Sequence, residues 1–168
     1  MSPAKKVIKI GLNTRDINRA IKEVRRYKQE VIDKTKALVE ALTDRGVEVA
    51  RVQLAQMGAE YTGQLSSSMV GYFSPSTGVG IIRAGAWYAV FVEFGTGVVG
   101  AGSPHPDPTG WQYDVNGHGD KGWVYFNEND QKWHWTKGME SRPFMYNTAR
   151  TLEKECLQIA KEVWVSHG

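Results

Sequence analysis

Residues 84–97 read Ala84-Gly85-Ala86-Trp87-Tyr88-Ala89-Val90-Phe91-Val92-Glu93-Phe94-Gly95-Thr96-Gly97, and the assignment of this stretch decides the architecture. From Trp87 to Phe94 nearly every residue is aromatic or β-branched, the composition of a pleated and largely buried strand, and Gly95 and Gly97 close the run. The stretch is therefore read as the central strand of a sheet. By alternation Tyr88, Val90, Val92 and Phe94 share one face, and Trp87, Ala89, Phe91 and Glu93 the other. Glu93 is the only charge in the run. Burying an unpaired carboxylate is costly, so it must find a partner or face solvent.

Immediately upstream, Val70 to Phe73 and Gly80 to Ala84 read as two strands, with Pro75 and Gly78 supplying the turn between them. Short connections then predict an antiparallel meander with the central strand. Before these strands, residues 60–69 form a connector, with Thr62-Gly63 as a turn signal and Ser66, Ser67 and Ser68 able to bond locally to the backbone.

The N-terminal third is helical. Asn13 or Thr14 offers an N-cap, and Asp16 lies in the first turn, where a negative charge suits the helix dipole. Ile17, Val24, Val31 and Leu38 recur every seven residues and mark one apolar stripe. Gly46 reads as the stop. Val47 to Met57 is a second helix or a continuation of the first, ended by Gly58. A helix of roughly 30 residues spans about 45 Å, more than a compact domain of this size covers, so part of it is expected to project. Ahead of it, Val7 to Leu12 reads as a short edge strand.

Downstream, Val98 to Gly138 mixes glycine, proline, asparagine and aspartate with Trp111, Tyr113, Trp123, Tyr125, Phe126, Trp133 and Trp135. That texture predicts a long loop carrying a hairpin with strands at Gly122–Asn127 and Lys132–Thr136, where the sheet resumes. Loops of this length are commonly functional, and exposed aromatics point to an interface. Ser141 and Pro143 then start a last helix, with Met145, Ala149, Leu152, Cys156, Ile159 and Val163 along its apolar face.

The expected fold is α+β: a mostly antiparallel sheet with a long N-terminal helix and a C-terminal helix packed on the sheet. A chain of 168 residues suits a single domain. Its parts are a helical region over 13–57, a sheet region over 70–140 with the aromatic loop at about 98–138, and a closing helix over 141–165.

Composition excludes some classes and leaves others open. A net charge of +3 does not mark a nucleic-acid binder without a concentrated basic stripe. The nearest approach, Lys22 to Lys28, is interrupted by Glu23 and reads as a solvated helix face. One cysteine, Cys156, cannot form an internal disulfide, and no apolar run of about 18 residues would span a bilayer. Lys5 and Lys6 precede only a short apolar stretch, which does not make a signal peptide, so folding in a reducing cytoplasm is expected.

No residue pattern in the sequence points to a cofactor site, metal site or catalytic set. Cys156 lies on an apolar helix face, where a thiol behaves as a small hydrophobe. His105, His118 and His134, separated by 13 and 16 residues, match no familiar metal spacing. Glu93 with Asp114 or Asp120 is the only conceivable acid pair. Gly95-Thr96-Gly97 lacks the Lys-Ser/Thr and the following helix of a phosphate loop.

Three segments carry a resemblance. Tyr61-Thr62-Gly63-Gln64-Leu65-Ser66-Ser67-Ser68-Met69 resembles a "D-T-G-x-L-x-x-S-I" segment of a family of tailed-bacteriophage neck, or head-tail joining (tail-completion), proteins. Tyr88 to Gly97 resembles that family's "Y-A-x-x-V-E-F-G-T", carried here by Tyr88, Ala89, Val92, Glu93, Phe94, Gly95, Thr96 and Gly97. Arg142-Pro143-Phe144-Met145 resembles its third segment, in which a proline and a phenylalanine open the closing helix. The chain departs from the pattern at Ala59-Glu60-Tyr61, where the family often has Pro-Val-Asp, and in the aromatic insertion from Ser103 to Gly138.

The resemblance implies a non-enzymatic structural component of a phage or prophage particle, acting as a ring at the neck or tail end and assembled in the host cytoplasm. Its partners would be copies of itself and neighbouring head-completion and tail proteins, with DNA in the channel contacted without sequence specificity, and no membrane. On that reading Thr62, Gly63, Leu65, Ser68, the 88–97 motif residues, Pro143 and Phe144 are scaffold. The stripe of Ile17, Val24, Val31 and Leu38, with Trp111, Trp123, Trp133 and Trp135, would meet other subunits. Two other classes stay open: a DNA-binding accessory protein using the Lys22–Lys28 region, and a small hydrolase in which His118, Asp120 and Glu93 converge.

Overall fold

A computed structural model describes residues 11, 13–59 and 62–166. Apart from Gly11, the strand expected at Val7–Leu12 lies outside them. The fold is α+β, with a long N-terminal helix, a C-terminal helix and two small antiparallel sheets.

Helix α1 runs over Thr14–Gln56, 43 residues and thus about 64 Å at 1.5 Å per residue. Its start is the one expected: Asn13 Oδ1 accepts the Asp16 N–H at 2.9 Å while Asn13 Nδ2 donates to Asp16 Oδ2 at 2.8 Å. Its end is not at Gly46. That glycine is buried in mid-helix, and the side chains of Ile82 and Leu152 close over it, so that an added Cβ would collide with both. The missing side chain marks where two elements approach α1, and the helix continues to Met57 and a left-handed Gly58.

A one-turn helix α2 (Gln64–Ser67) leads into strands β1 (Met69–Ser74) and β2 (Val79–Ala84), paired antiparallel from Met69↔Ala84 to Ser74↔Val79. This hairpin lies across the C-terminal half of α1, against Val39, Thr43 and Val47. Gly71 and Gly80 leave room there for the Thr43 side chain.

The central strand does not exist. Residues Ala89–Phe94 form a short helix, α3, so β1–β2 stays a two-stranded sheet and no meander forms. The buried positions of the segment are Ala89, Val92 and Glu93, the i, i+3, i+4 set of one helix face rather than alternate residues of a strand. The β-prone composition is overridden by the packing of that face.

Helix α4 (Gly97–Gly102) follows at once. Thr96 and Gly97 bridge to Met139 and Gly138 of a two-residue strand, β5 (Gly138–Met139). Between them, β3 (Trp123–Asn127) and β4 (Lys132–Thr136) make the expected hairpin, but as a separate two-stranded sheet instead of a resumption of the first.

Helix α5 (Phe144–Ser166) packs chiefly along α1, not on the sheet as expected. The two run antiparallel. Lys34 Nζ donates to the Trp164 carbonyl at 3.5 Å, and Arg45 forks onto Glu155 at 2.8 and 3.0 Å. The Arg45 pairing holds the Glu155 carboxyl below its ordinary range. Lys34 thus places a cation at the C-terminal end of α5, where the helix dipole favours it. Ala50, Leu54, Leu65, Met69, Ala89, Val92 and Phe144 make one buried cluster at the far end of α1.

Candidate functional site

The three segments that carry the resemblance meet at that cluster. Leu65 comes from the first, Ala89 and Val92 from the second and Phe144 from the third, each buried. Their polar residues fasten the cluster together. Thr62 Oγ1 takes the Gln64 N–H at 3.4 Å, and left-handed Gly63 precedes α2. Ser68 Oγ donates to the Leu65 carbonyl at 2.7 Å and accepts the Ala86 N–H at 3.0 Å, tying the end of α2 to the chain before α3.

Glu93 is the centre. Its Oε2 accepts the Met145 N–H at 2.8 Å, and its Oε1 accepts the Tyr146 N–H at 2.9 Å and His105 Nε2 at 3.1 Å. The first turn of a helix leaves amide groups without intrahelical acceptors, and a carboxylate there also complements the dipole. Glu93 therefore caps α5 from a different element. The backbone repeats the link: Ser141 Oγ donates to the Glu93 carbonyl at 2.7 Å, and the Arg142 N–H donates to the Val92 carbonyl at 2.9 Å. Pro143 stands just before α5, and its carbonyl accepts the Asn147 N–H at 2.9 Å. The charge that had to find a partner or face solvent is buried with three donors.

His105 is buried beside it. Its Nδ1 lies 2.7 Å from the Asp107 carbonyl oxygen and 3.0 Å from the Asp107 N–H, and its Nε2 lies 3.1 Å from Glu93 Oε1. Phe94 covers the ring with centroids 4.4 Å apart, and Tyr146 meets it edge-on at 5.3 Å. Trp111 stacks on Phe94 at 5.0 Å and donates from Nε1 to the Gly95 carbonyl at 3.0 Å. The spacing of His105, His118 and His134 bears on metal ligation alone and does not show this role. Glu93's need for a partner is visible in the sequence, but nothing local to His105 marks it as that partner.

The Gly95-Thr96-Gly97 turn is shaped by backbone crowding. Gly95 and Gly97 both have positive φ, and a Cβ on either would strike backbone of residues 137–141. The Gly97 N–H donates to the Tyr113 carbonyl at 2.6 Å, and Thr96 Oγ1 accepts the Met139 N–H at 3.2 Å. Tyr88 precedes α3, where its carbonyl accepts the Phe91 and Val92 N–H groups.

The hydrolase constellation is not brought together. His118 and Asp114 sit at a separate open cavity of about 610 Å³, walled by Phe91, Trp111, Tyr113 and Trp123. Asp120 is on the exposed surface. The His118 and Gly119 N–H groups bond to the Asp114 carboxylate at 2.9 and 2.6 Å and, with the Gly119 bond the larger cause, hold it below its ordinary value. His134 pairs with Asp130 at 2.7 Å. Cys156 is half-buried. Among the described residues no three His, Cys, Asp or Glu side chains gather to hold a metal ion, and no helix is long and apolar enough to cross a membrane.

The residues expected at a subunit interface divide. Ile17, Val24 and Val31 are exposed on the projecting part of α1, while Leu38 is half-buried where α5 begins to cover the helix. Trp133 and Trp135 are exposed on the hairpin. Trp111 and Trp123 are half-buried, the first against Phe94 and the second against His118. No protein-family model, curated protein or solved structure matches the chain.

Proposed function

We propose that this chain is a structural component of a phage or prophage particle, acting without catalysis, cofactor or metal as a head-tail joining ring at the neck or tail end, and assembled in the host cytoplasm. The observation that carries the reading is the junction at Glu93. The three segments that resemble the neck-protein family, far apart in sequence, lock into one core through Leu65, Val92, Glu93 and Phe144. Motif residues used in this way hold a shape, and the Glu93 carboxylate is occupied by three donors. Outside the junction, apolar side chains remain exposed on the projecting helix and on the hairpin, where neighbouring subunits and ring proteins would cover them.

A second reading, contact with nucleic acid, has one observation in its favour: Lys22, Arg25, Arg26 and Lys28 are all exposed on the projecting helix. In a ring around a DNA channel such residues would touch phosphates without reading sequence, and affinity would fall steeply with salt.

The test is genetic. Interrupting this gene in the phage or prophage that carries it is expected to yield separate DNA-filled heads and tails by electron microscopy, and supplying the protein in trans should rejoin them. Normal infectious particles without the protein would overturn the proposal.

A further inference from the structure

Two exposed apolar faces lie at opposite ends of the molecule. On the β3–β4 hairpin the cross-strand pairs Val124↔Trp135 and Phe126↔Trp133 place four apolar side chains on one face, exposed by 62%, 59%, 42% and 70% respectively. On the opposite face Tyr125, itself 45% exposed, borders a cleft shared with Trp87 and Tyr88. At the other end, Ile17, Ile21 and Val24 line a shallow groove of about 460 Å³ on α1, and Val31 continues the same stripe.

One chain cannot bring these faces together. The hairpin is rooted beside Gly97 and Gly138, near the start of α5, where Leu54 joins the core. Val24 and Leu54 are thirty residues apart on α1, about 45 Å along a continuous helix. A five-residue strand reaches only about 17 Å. Among the described residues, then, neither face can cover the other.

Charge selects which molecule. Residues 14–31 of α1 carry Arg15, Arg19, Lys22, Arg25, Arg26 and Lys28 against Asp16, Glu23 and Glu30. The loop and hairpin over 107–137 carry Asp107, Asp114, Asp120, Glu128 and Asp130 against Lys121, Lys132 and Lys137, the last lying over the Trp135 ring, so this end is net acidic while the stripe is net basic. Stripe on stripe would set basic surface against basic surface, and hairpin on hairpin would set the acidic tips together. Hairpin on stripe matches both charge and apolarity.

We infer that copies of this chain associate head to tail, the Val124/Phe126/Trp133/Trp135 face of one seated on the Ile17/Ile21/Val24/Val31 stripe of the next. The inference rests on the proposed self-assembly and names the surfaces that meet. Such a contact is heterologous, the kind that closes into a ring when its rotation allows. With about 200 Å² per large aromatic side chain, Phe126, Trp133 and Trp135 expose on the order of 350 Å² between them. That is close to half of the ~800 Å² that one partner contributes to a standard interface, and the charged rim supplies further area.

The experiment uses full-length protein with Cys156→Ala, carrying either Val24→Cys or Val124→Cys. Mixed under mild oxidation at the highest soluble concentration, the two variants are expected to give a crosslinked heterodimer, and neither alone should give one. Phe126→Asp on the Val124→Cys chain should cut the yield about tenfold. Arg25→Glu with Arg26→Glu on the other chain should lower it as well, and Glu128→Lys with Asp130→Lys on the Val124→Cys chain should restore it. Val24→Cys homodimers would overturn the head-to-tail arrangement while leaving the virion reading standing. A crosslinked mixture that forms as expected, with Phe126→Asp phage assembling normally, would keep the arrangement and count against the virion reading. No crosslink in any mixture would overturn the inference.

Discussion

The junction at Glu93 and the β3–β4 hairpin are built from the same kind of side chain and put it to opposite use. At the junction Phe94, Trp111 and Tyr146 close around His105, and every donor and acceptor beneath them is matched. On the hairpin Phe126, Trp133 and Trp135 stand in solvent on a two-stranded sheet, an element that is marginal when isolated. A ring that covers a buried polar pair stabilises the monomer. A ring left outside contributes little until something covers it. The difference predicts that stability and assembly are separable by mutation, with the first residing at the junction and the second on the hairpin and the α1 stripe.

The largest expected effect falls on the junction's apolar anchor. Phe144 is 1% exposed at the centre of the core, and Phe144→Ala should cost about 3–5 kcal/mol. In a chain of this size that lowers the melting temperature by on the order of 10 °C. Urea denaturation would measure it, and an unchanged midpoint would show that the three motif segments do not depend on one another.

Glu93→Ala comes next. It leaves the Met145 and Tyr146 N–H groups and His105 Nε2 without their acceptor, and at about 1–3 kcal/mol for a buried unmatched group the cost should be roughly 3 kcal/mol. The cost should be sharply non-additive with His105→Ala, because the two side chains share one contact. Additive losses in a double-mutant cycle would remove His105 from the junction.

Legibility follows the same division. Elements set by local pattern could be read directly: the Asn13 cap with Asp16, the two hairpins with their turns, and the closing helix after Pro143. Elements set by contact could not. Composition favoured a strand at Trp87–Phe94, yet Ala89, Val92 and Glu93 already carried helical spacing, and the decisive fact, a carboxylate capping a helix some fifty residues away, is a tertiary one. Gly46 has the form of a helix stop, but there it is a packing allowance for Ile82 and Leu152. The separation of the sheets follows from α3, because a helix cannot extend a strand ladder. At the site, the motif residues and Glu93's need for a partner were legible, whereas His105 was not, since nothing local to it points to position 93.

On the hairpin the expectation reverses. Trp133 is 70% exposed, and Trp133→Ala should change the free energy of unfolding by no more than about 0.5 kcal/mol. The same substitution should lower self-association and particle yield. Folding and assembly measured side by side sharpen the comparison: destabilisation near that of Phe144→Ala would mean the hairpin belongs to the core, and normal assembly would mean its aromatic face is not a contact.

The smallest effect lies between the two regions, in the loop that joins them. The Gly119 and His118 N–H groups hold the Asp114 carboxyl below its ordinary value of about 3.8, and the Thr109 hydroxyl and N–H do the same for Asp107. A group whose value is depressed by folding adds stability that is present above its unfolded value and is lost as pH falls through the folded one. Asp107 is exposed and the Asp114 side chain is 27% exposed, so global stability should change little, and the consequence should be local. Below pH about 3.8, protonation of Asp114 should release the amides of His118 and Gly119 and loosen His118 from Trp123, its ring neighbour at 5.0 Å. Amide chemical shifts followed through an acid titration would show this as a transition at Gly119 that Asp114→Asn abolishes. A Gly119 amide that stays unchanged through the acid range, or that moves identically in the variant, would place the control of this loop elsewhere.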